Sequence, residues 1–193
     1  GGIASRLGGI TDGGAGIRFL TETITSPTLI AQFEQIKREF PNAKWVQYEP
    51  INRDGATAGA KLAFNTAVNT VYKFDQADRV LTLDADIFSG FNVRYVKDFS
   101  KKRSHSEEKE EISRLYAVET TVSLVGAKAD HKLSVKPSQM PELVKAIAAA
   151  LGVSGATSTY KENAAWIAAM AKDLLAHKGK SLVIAGENQS PMV

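Results

Sequence analysis

Short β-type segments alternate with amphipathic helical segments along almost the whole chain, and this alternation limits the fold more than any other feature. Helical spacing of apolar residues predicts five helices between and after the strands, at 27–40, 54–64, 92–99, 141–151 and 164–175. β-type runs are predicted at 17–22, 44–48, 79–83, 115–118, 132–135 and 181–185. Parallel neighbours need crossover connections, commonly helices. The pattern therefore predicts an α/β fold: a doubly wound, mostly parallel sheet with helices on both faces.

Local signals set the ends of these helices. Ser26 followed by Pro27 is typical of an N-cap and first helical position, and Asp54 is expected to cap the next helix. The run 100–114, SKKRSHSEEKEEISR, is dense in both charge signs and indicates a solvated helix or loop.

The glycine distribution suggests how the chain is organised. Seven of the first sixteen residues are glycine, so residues 1–16 are expected to be a flexible, Gly-rich lead-in to one α/β domain over 17–193. The chain opens Gly1-Gly2-Ile3, with neither Met nor a basic-then-apolar leader. We expect it to be one domain of a larger protein.

Composition excludes several classes of function. Hydrophobic residues make up 44% and charged residues 23%, which is typical of a globular domain. The net charge of +3 is spread along the chain, without the clustered basic face that nucleic-acid binding needs. The chain has no cysteine and only three scattered histidines, so thiolate ligation and a Cys nucleophile are excluded within it. Its apolar runs are far shorter than the roughly 20 residues that span a bilayer.

Ligands of doubly wound sheets bind outside the carboxyl ends of the strands, and acidic and hydroxyl side chains follow the predicted strands here. Asp84-Ala85-Asp86 follows 79–83, and Glu119-Thr120-Thr121 follows 115–118. Alternate residues of an extended segment point the same way, so Asp84 and Asp86 would suit one hard cation such as Mg²⁺. The same carboxylates would also suit a helix cap and loop. His131 beside Asp130 would serve as a general base or as a surface residue.

Three stretches resemble a known family. They are 26–64, which contains YEPINRDGATAGAKLAF, 68–90, VNTVYKFDQADRVLTLDADIFSG, and 115–151, LYAVETTVSLVGAKADHKLSVKPSQMPELVKAIAAAL. Together with SLVIAGENQSP they resemble the molybdopterin oxidoreductase-like subunit of bacterial alternative complex III, an iron–sulfur-containing protein with a twin-arginine signal. The resemblance covers most of 17–193. It implies a Rossmann-like domain of the formate dehydrogenase/dimethyl-sulfoxide-reductase type.

The resemblance also implies a setting. The family's complex oxidises membrane quinol and passes electrons toward a periplasmic carrier, and the cysteine motifs for its iron–sulfur clusters would lie elsewhere in the parent chain. The expected location is the periplasmic face of the bacterial inner membrane. Expected partners are other domains of the parent chain and neighbouring subunits, without direct membrane insertion and without nucleic acid.

Three positions depart from the pattern of the true molybdenum enzymes. Asp84-Ala85-Asp86 stands where those enzymes have Gly-Ser/Ala-Asn beside the guanine dinucleotide. Glu119-Thr120-Thr121-Val122-Ser123 stands in place of Asp-Pro-Arg-x-Thr, and Lys136-Pro137-Ser138-Gln139-Met140 in place of Arg-Pro-Gly-Thr-Asp. Carboxylates beside a pyrophosphate repel it. The resemblance thus implies a degenerate cofactor site, with the candidate residues Asp84, Ala85, Asp86, Glu119, Thr120, Thr121, Lys136 and Ser138.

Three functions remain open from the sequence. The first is a structural and interaction scaffold with no catalytic residue and no cofactor in this chain. The second is half of a functional site for molybdopterin guanine dinucleotide, in which Lys136, Thr120 and Thr121 contact the nucleotide. The third is a divalent-metal-dependent transferase using Asp84 and Asp86.

Overall fold

The computed structural model describes residues 2–89, 92–104 and 112–193. Residues 105–111 of the charged run predicted to be solvated, His105 among them, lie outside the described residues. By its contacts the chain forms two compact units, Gly1–Asn52 and Arg53–Val193. The predicted lead-in over 1–16 and single domain over 17–193 stay a prediction, although Gly2–Gly8 forms a short helix, α1.

The first unit is a small α/β layer. After α1 it contains β1 (Arg18–Thr21), α2 (Pro27–Glu39) and β2 (Lys44–Gln47), as the apolar pattern predicts. The two strands pair in parallel, with Arg18 opposite Lys44. Ser26 caps α2 by accepting a hydrogen bond from the Leu29 amide at 3.4 Å. The helix packs on the strands through Phe33, whose ring stacks on Trp45 at a centroid distance of 4.4 Å.

The second unit contains the larger sheet. Its helices are α3 (Asp54–Phe64), α4 (Val93–Arg103), α5 (Leu124–Lys128), α6 (Met140–Ala150) and α7 (Ala164–Ala176). Its strands are β3 (Arg79–Leu83), β4 (Arg114–Glu119), β5 (His131–Ser134) and β6 (Ser181–Ala185). The strands lie in the order β5-β4-β3-β6, and every neighbouring pair is parallel.

Both faces of this sheet are covered, because alternate strand residues enter two separate cores. Leu81 and Val118 pack with Leu143 of α6 and Met170 of α7 on one face. The other face carries Val80, Leu115, Ala117 and Ile184, which pack with Phe99 of α4, Val125 of α5 and Phe74 of a 3₁₀ turn at Phe74–Gln76. The predicted α/β class with parallel strands and covering helices is confirmed. The strands form two sheets, one in each unit.

Three local details differ from the prediction. Asp54 does not cap α3, since the N-cap residue is Arg53 and Asp54 is the first helical residue. Helix α4 continues past Phe99 to Arg103. The five-residue helix α5 was not predicted, because it is too short to show a periodic pattern.

In the part of the chain that the structure describes, none of the helices combines the length and apolar character needed to cross a bilayer.

Candidate functional site

The candidate site lies where the order of the larger sheet changes direction. From β3 the chain moves to β4 and β5 on one side, and β6 returns to the other side of β3. At such a switch point the loops that follow neighbouring strands diverge, and open α/β sheets bind ligands in that crevice. A cavity of about 710 Å³ lies there, lined by residues that follow β3, β4 and β6.

The cavity brings together most of the residues that the sequence singled out. Asp84, Ala85, Asp86, Glu119 and Thr121 line it. Thr120 belongs to the site through its hydrogen bond to Asp84. Lys136 and Ser138 are not among the lining residues; they are exposed, at the 3₁₀ turn Pro137–Gln139 that follows β5. The amide of Lys136 donates to the side-chain oxygen of Gln139 at 3.1 Å.

The Asp84 carboxylate joins three segments of the chain. Oδ1 accepts a hydrogen bond from the Thr120 amide at 2.9 Å, and Oδ2 accepts one from the Thr120 hydroxyl at 2.7 Å. Oδ2 also accepts from Nε2 of Gln189 at 2.9 Å. Asp84 has a left-handed backbone conformation, with φ of 54°. Its carbonyl oxygen lies so close to Gly186 that a Cβ there would be 2.1 Å away.

Asp86 organises its own loop. Its Oδ1 accepts hydrogen bonds from the amides of Phe88 and Ser89, both at 3.2 Å, and the Ser89 hydroxyl donates to the Asp86 carbonyl oxygen. Such an arrangement is typical of an Asx turn. Within the described residues, no group of three or more His, Cys, Asp or Glu side chains is placed to hold a metal ion.

Glu119 is the most enclosed acid of the site, with a relative exposure of 4%. Its Oε1 accepts from the Ser123 hydroxyl and, at 2.8 Å, from the Gly126 amide. Nζ of Lys132 lies 3.0 Å from Oε2. Burial by itself raises the pKa of Glu119, but the hydrogen bonds from Ser123, Lys132 and Gly126 outweigh it, so the pKa lies below its ordinary value. Glu119 is therefore held as a carboxylate.

Five amides at this edge thus donate to the chain's own side chains. Thr120 donates to Asp84, Phe88 and Ser89 donate to Asp86, and Gly126 donates to Glu119. The Val125 amide donates to the Ser123 hydroxyl at 3.1 Å. Phosphate cradles depend on backbone amides that are free to donate to the anion. These amides do not offer that, so the residues present do not fit the pyrophosphate of molybdopterin guanine dinucleotide.

The remaining lining is acidic at its rim. Glu187 follows β6 and pairs with Arg53, at 2.9 Å between Oε2 and Nε, with both side chains largely exposed. Burial is the main cause that raises the pKa of Tyr72, and the nearby Tyr95 and Glu187 raise it further. Asp84, Asp86, Glu119 and Glu187 face the cavity together with one arginine, Arg53. This balance disfavours an anionic ligand.

Sequence reasoning missed the β6 side of the cavity. Gly186, Glu187 and Asn188 line it, and Gln189 bonds to Asp84. Applying the rule on carboxyl strand ends to the last strand, 181–185, would have found Gly186 and Glu187. The Gln189–Asp84 contact carries no sequence signal, since the two residues are far apart in the chain.

Asp130 and His131 lie at the opposite, amino end of the strands. The Asp130 carboxylate forms a two-pronged pair with Arg103, at 2.6 and 2.8 Å, and accepts from the Leu115 amide at 2.7 Å. The His131 ring stacks on Tyr116 at a centroid distance of 5.0 Å. Both side chains thus have structural contacts away from the cavity.

Comparison of the sequence with protein-family models and with curated proteins finds no match.

Proposed function

We propose that this chain is a Rossmann-like scaffold domain of a molybdopterin oxidoreductase-like subunit in a membrane-associated quinol-oxidising complex of the alternative complex III type. Its role there would be to pack against other domains of the parent chain and against neighbouring subunits. The resemblance of 26–64, 68–90 and 115–151 to that family supports the parentage. The expected location is the periplasmic face of the bacterial inner membrane.

One observation supports a scaffold rather than a cofactor site: the chain's own side chains accept hydrogen bonds from five amides at the carboxyl edge of the sheet. The Glu119 carboxylate accepts from Gly126, and the Asp84 carboxylate accepts from Thr120. A phosphate would have to displace both carboxylates, and it would leave Glu119 buried without its donors. Leaving a buried charged group without its hydrogen bonds costs several kcal/mol. Cofactor binding at this edge is therefore opposed by both charge and geometry.

The same contacts serve the scaffold. Asp84 ties the end of β3 to Thr120 after β4 and to Gln189 after β6. Glu119 ties the end of β4 to α5 through Gly126, and to β5 through Lys132. An edge that binds cofactors in other doubly wound sheets is here cross-linked by carboxylates.

The direct test is cofactor analysis of the intact parent subunit. We expect no stoichiometric molybdenum by metal analysis and no guanine nucleotide after denaturation and chromatography. One molybdenum and a matching amount of guanine nucleotide per subunit would contradict the scaffold proposal and support the cofactor-binding alternative.

A second test uses this chain alone. A ligand that binds only the folded state at 100 times its Kd adds about 2.7 kcal/mol of stability. We expect no rise in Tm with GDP or with Mn²⁺. A rise with GDP would support the cofactor site. A rise with Mn²⁺ that disappears in Asp84→Ala would support the metal-dependent transferase, provided that it persists in Asp98→Ala, a control that removes a carboxylate paired with Arg94 on α4.

A further inference from the structure

The segment that follows β6, residues 187–193, crosses the larger unit as a strap. Gln189 anchors it twice, since its side-chain Nε2 donates to Oδ2 of Asp84 at 2.9 Å and its amide donates to the Gly186 carbonyl at 3.0 Å. The Val193 side chain packs against the core on the α6–α7 face. The strap is thus held at its two ends.

Helix α3 lies against the strap through backbone rather than through a core. None of its residues is buried, and Leu62 and Phe64 are 74% and 65% exposed. A Cβ added to Gly55 would lie 2.3 Å from the Gln189 carbonyl oxygen, whereas one added to Gly59 would lie 3.6 Å from that of Pro191. The first distance leaves no room for a side chain, and the second is ordinary contact. The fit of α3 on the strap therefore depends on Gly55.

The strap also lines two cavities. The site cavity of about 710 Å³ is lined by Glu187 and Asn188 of the strap, and a second cavity of about 620 Å³ is lined by residues 189–193. The second cavity has α3 as another wall. Four residues line both cavities: Thr70, Tyr72, Ala185 and Gly186. Different residues of the strap thus line two cavities that share lining residues near the end of β6.

We propose that the strap is a gate, latched by Gln189 on Asp84, and that its release joins the two cavities into one cleft and loosens α3. The strap is held by the latch, the fit at Gly55, the packing of Val193 and the largely exposed pair of Glu187 with Arg53. These contacts are few, and α3 adds no buried side chain, so opening costs far less than unfolding the sheet. Segments with little buried apolar contact open locally while the core stays intact. This inference does not depend on the proposed scaffold function, because it concerns only contacts within this chain.

Two glycine variants of one helix test the gate. Gly55→Ala forces the Gln189 backbone away, whereas Gly59→Ala makes the same change where there is room. By hydrogen–deuterium exchange of the full chain, we expect Gly55→Ala to speed exchange in 187–193 and 54–64, with little change in β3 and β4. Gly59→Ala is expected to match or slow the wild-type exchange, because alanine favours a helix over glycine.

The side-chain latch has its own pair of variants, which keeps the proposal testable if Gly55→Ala fails to fold. Gln189→Ala removes the bond to Asp84 and is expected to speed exchange in the strap about tenfold, the change that follows from losing one hydrogen bond to a charged group. Gln139→Ala removes two bonds elsewhere, one to Glu162 at 3.2 Å and one from the Lys136 amide at 3.1 Å, and is expected to leave the strap unchanged. If the strap of Gln189→Ala exchanges at the wild-type rate, the gate is overturned. An acceleration in β3 and β4 equal to that in the strap would overturn it as well.

Discussion

At the scale of single residues, the Glu119 carboxylate holds several segments of the chain together, as a small core would. Glu119 gathers Ser123, Gly126 and Lys132, which belong to the turn after β4, to α5 and to β5. The buried position is tolerated because the three donors together stabilise the charged form more than burial opposes it. The closeness of this packing is visible at Gly126, where an added Cβ would lie 1.9 Å from Oε2 of Glu119.

Gly126→Ala should therefore destabilise the chain. The new methyl group has to push Glu119 out of its pocket, and overpacking of this kind costs about 1–3 kcal/mol. Urea unfolding followed by circular dichroism measures the loss as a lower midpoint. Gly59→Ala is the matched control, because its Cβ meets only ordinary contact. An unchanged midpoint in Gly126→Ala would mean that Glu119 is not held as the structure has it.

At the scale of elements, Asp173 of α7 anchors the helix to the amino ends of two strands. Its Oδ2 accepts from Nε of Arg79 at 2.7 Å, from Arg114 at 2.8 Å and from the Tyr116 hydroxyl at 2.7 Å. Arg79 is 1% exposed, so its charge is almost wholly removed from water. Burial by itself raises the pKa of Asp173. The bonds from Tyr116 and Arg79 lower it by more, so the pKa lies below its ordinary value.

Asp173→Asn should loosen α7 from the sheet. It removes the carboxylate charge that pairs with the buried Arg79, a loss of about 3 kcal/mol. The free energy of urea unfolding measures it. Asp98→Asn removes the charge that pairs with the exposed Arg94 four residues earlier, at 3.4 Å, and should change stability by less than about 0.5 kcal/mol. Equal effects of the two substitutions would show that Asp173 does not anchor the helix.

The elements themselves were predicted to different degrees. All six strands and the helices from α2 to α4, α6 and α7 were predicted within a few residues, since each carries its own apolar spacing. Helix α5 carries none, and it forms where Ser123 and Glu119 accept its first amides. The expected cap at Asp54 was wrong, because the chain enters α3 one residue earlier and Arg53 takes the N-cap position.

At the scale of the whole molecule, carboxylates with lowered pKa values set the response to acid. Among the described residues, hydrogen bonds and ion pairs lower the pKa of five carboxyl groups. That of Glu142 is lowered to about 2, with its bonds from Lys145 and Thr159 as the cause. The others are Asp78, Glu119, Asp130 and Asp173. In the unfolded chain these groups bind protons at higher pH than in the folded chain. The unfolded state therefore gains protons first as the pH falls.

Stability should be greatest above about pH 5 and decline progressively toward pH 2. The stabilising contribution of a lowered pKa is complete above the unfolded value and is lost as the pH falls through the folded one. The midpoint of urea unfolding at pH 7, 5, 4 and 3 measures this. We expect the midpoint to decline only at the pH values below 5. Equal midpoints at pH 7 and pH 3 would contradict the linkage.

The sequence alone determined the α/β class and the edge at which the polar residues gather. Periodicity is a local property, and the carboxyl ends of parallel strands must meet at one edge, so the meeting of Asp84 with Glu119 could be predicted from two strand ends. Only the tertiary structure decided what these carboxylates contact, because Thr120, Gly126 and Gln189 reach them through register and loop path. The burial of Arg79 and the path of the strap over α3 depend in the same way on distant segments meeting. No local pattern in a chain encodes which distant segment will fill a given space.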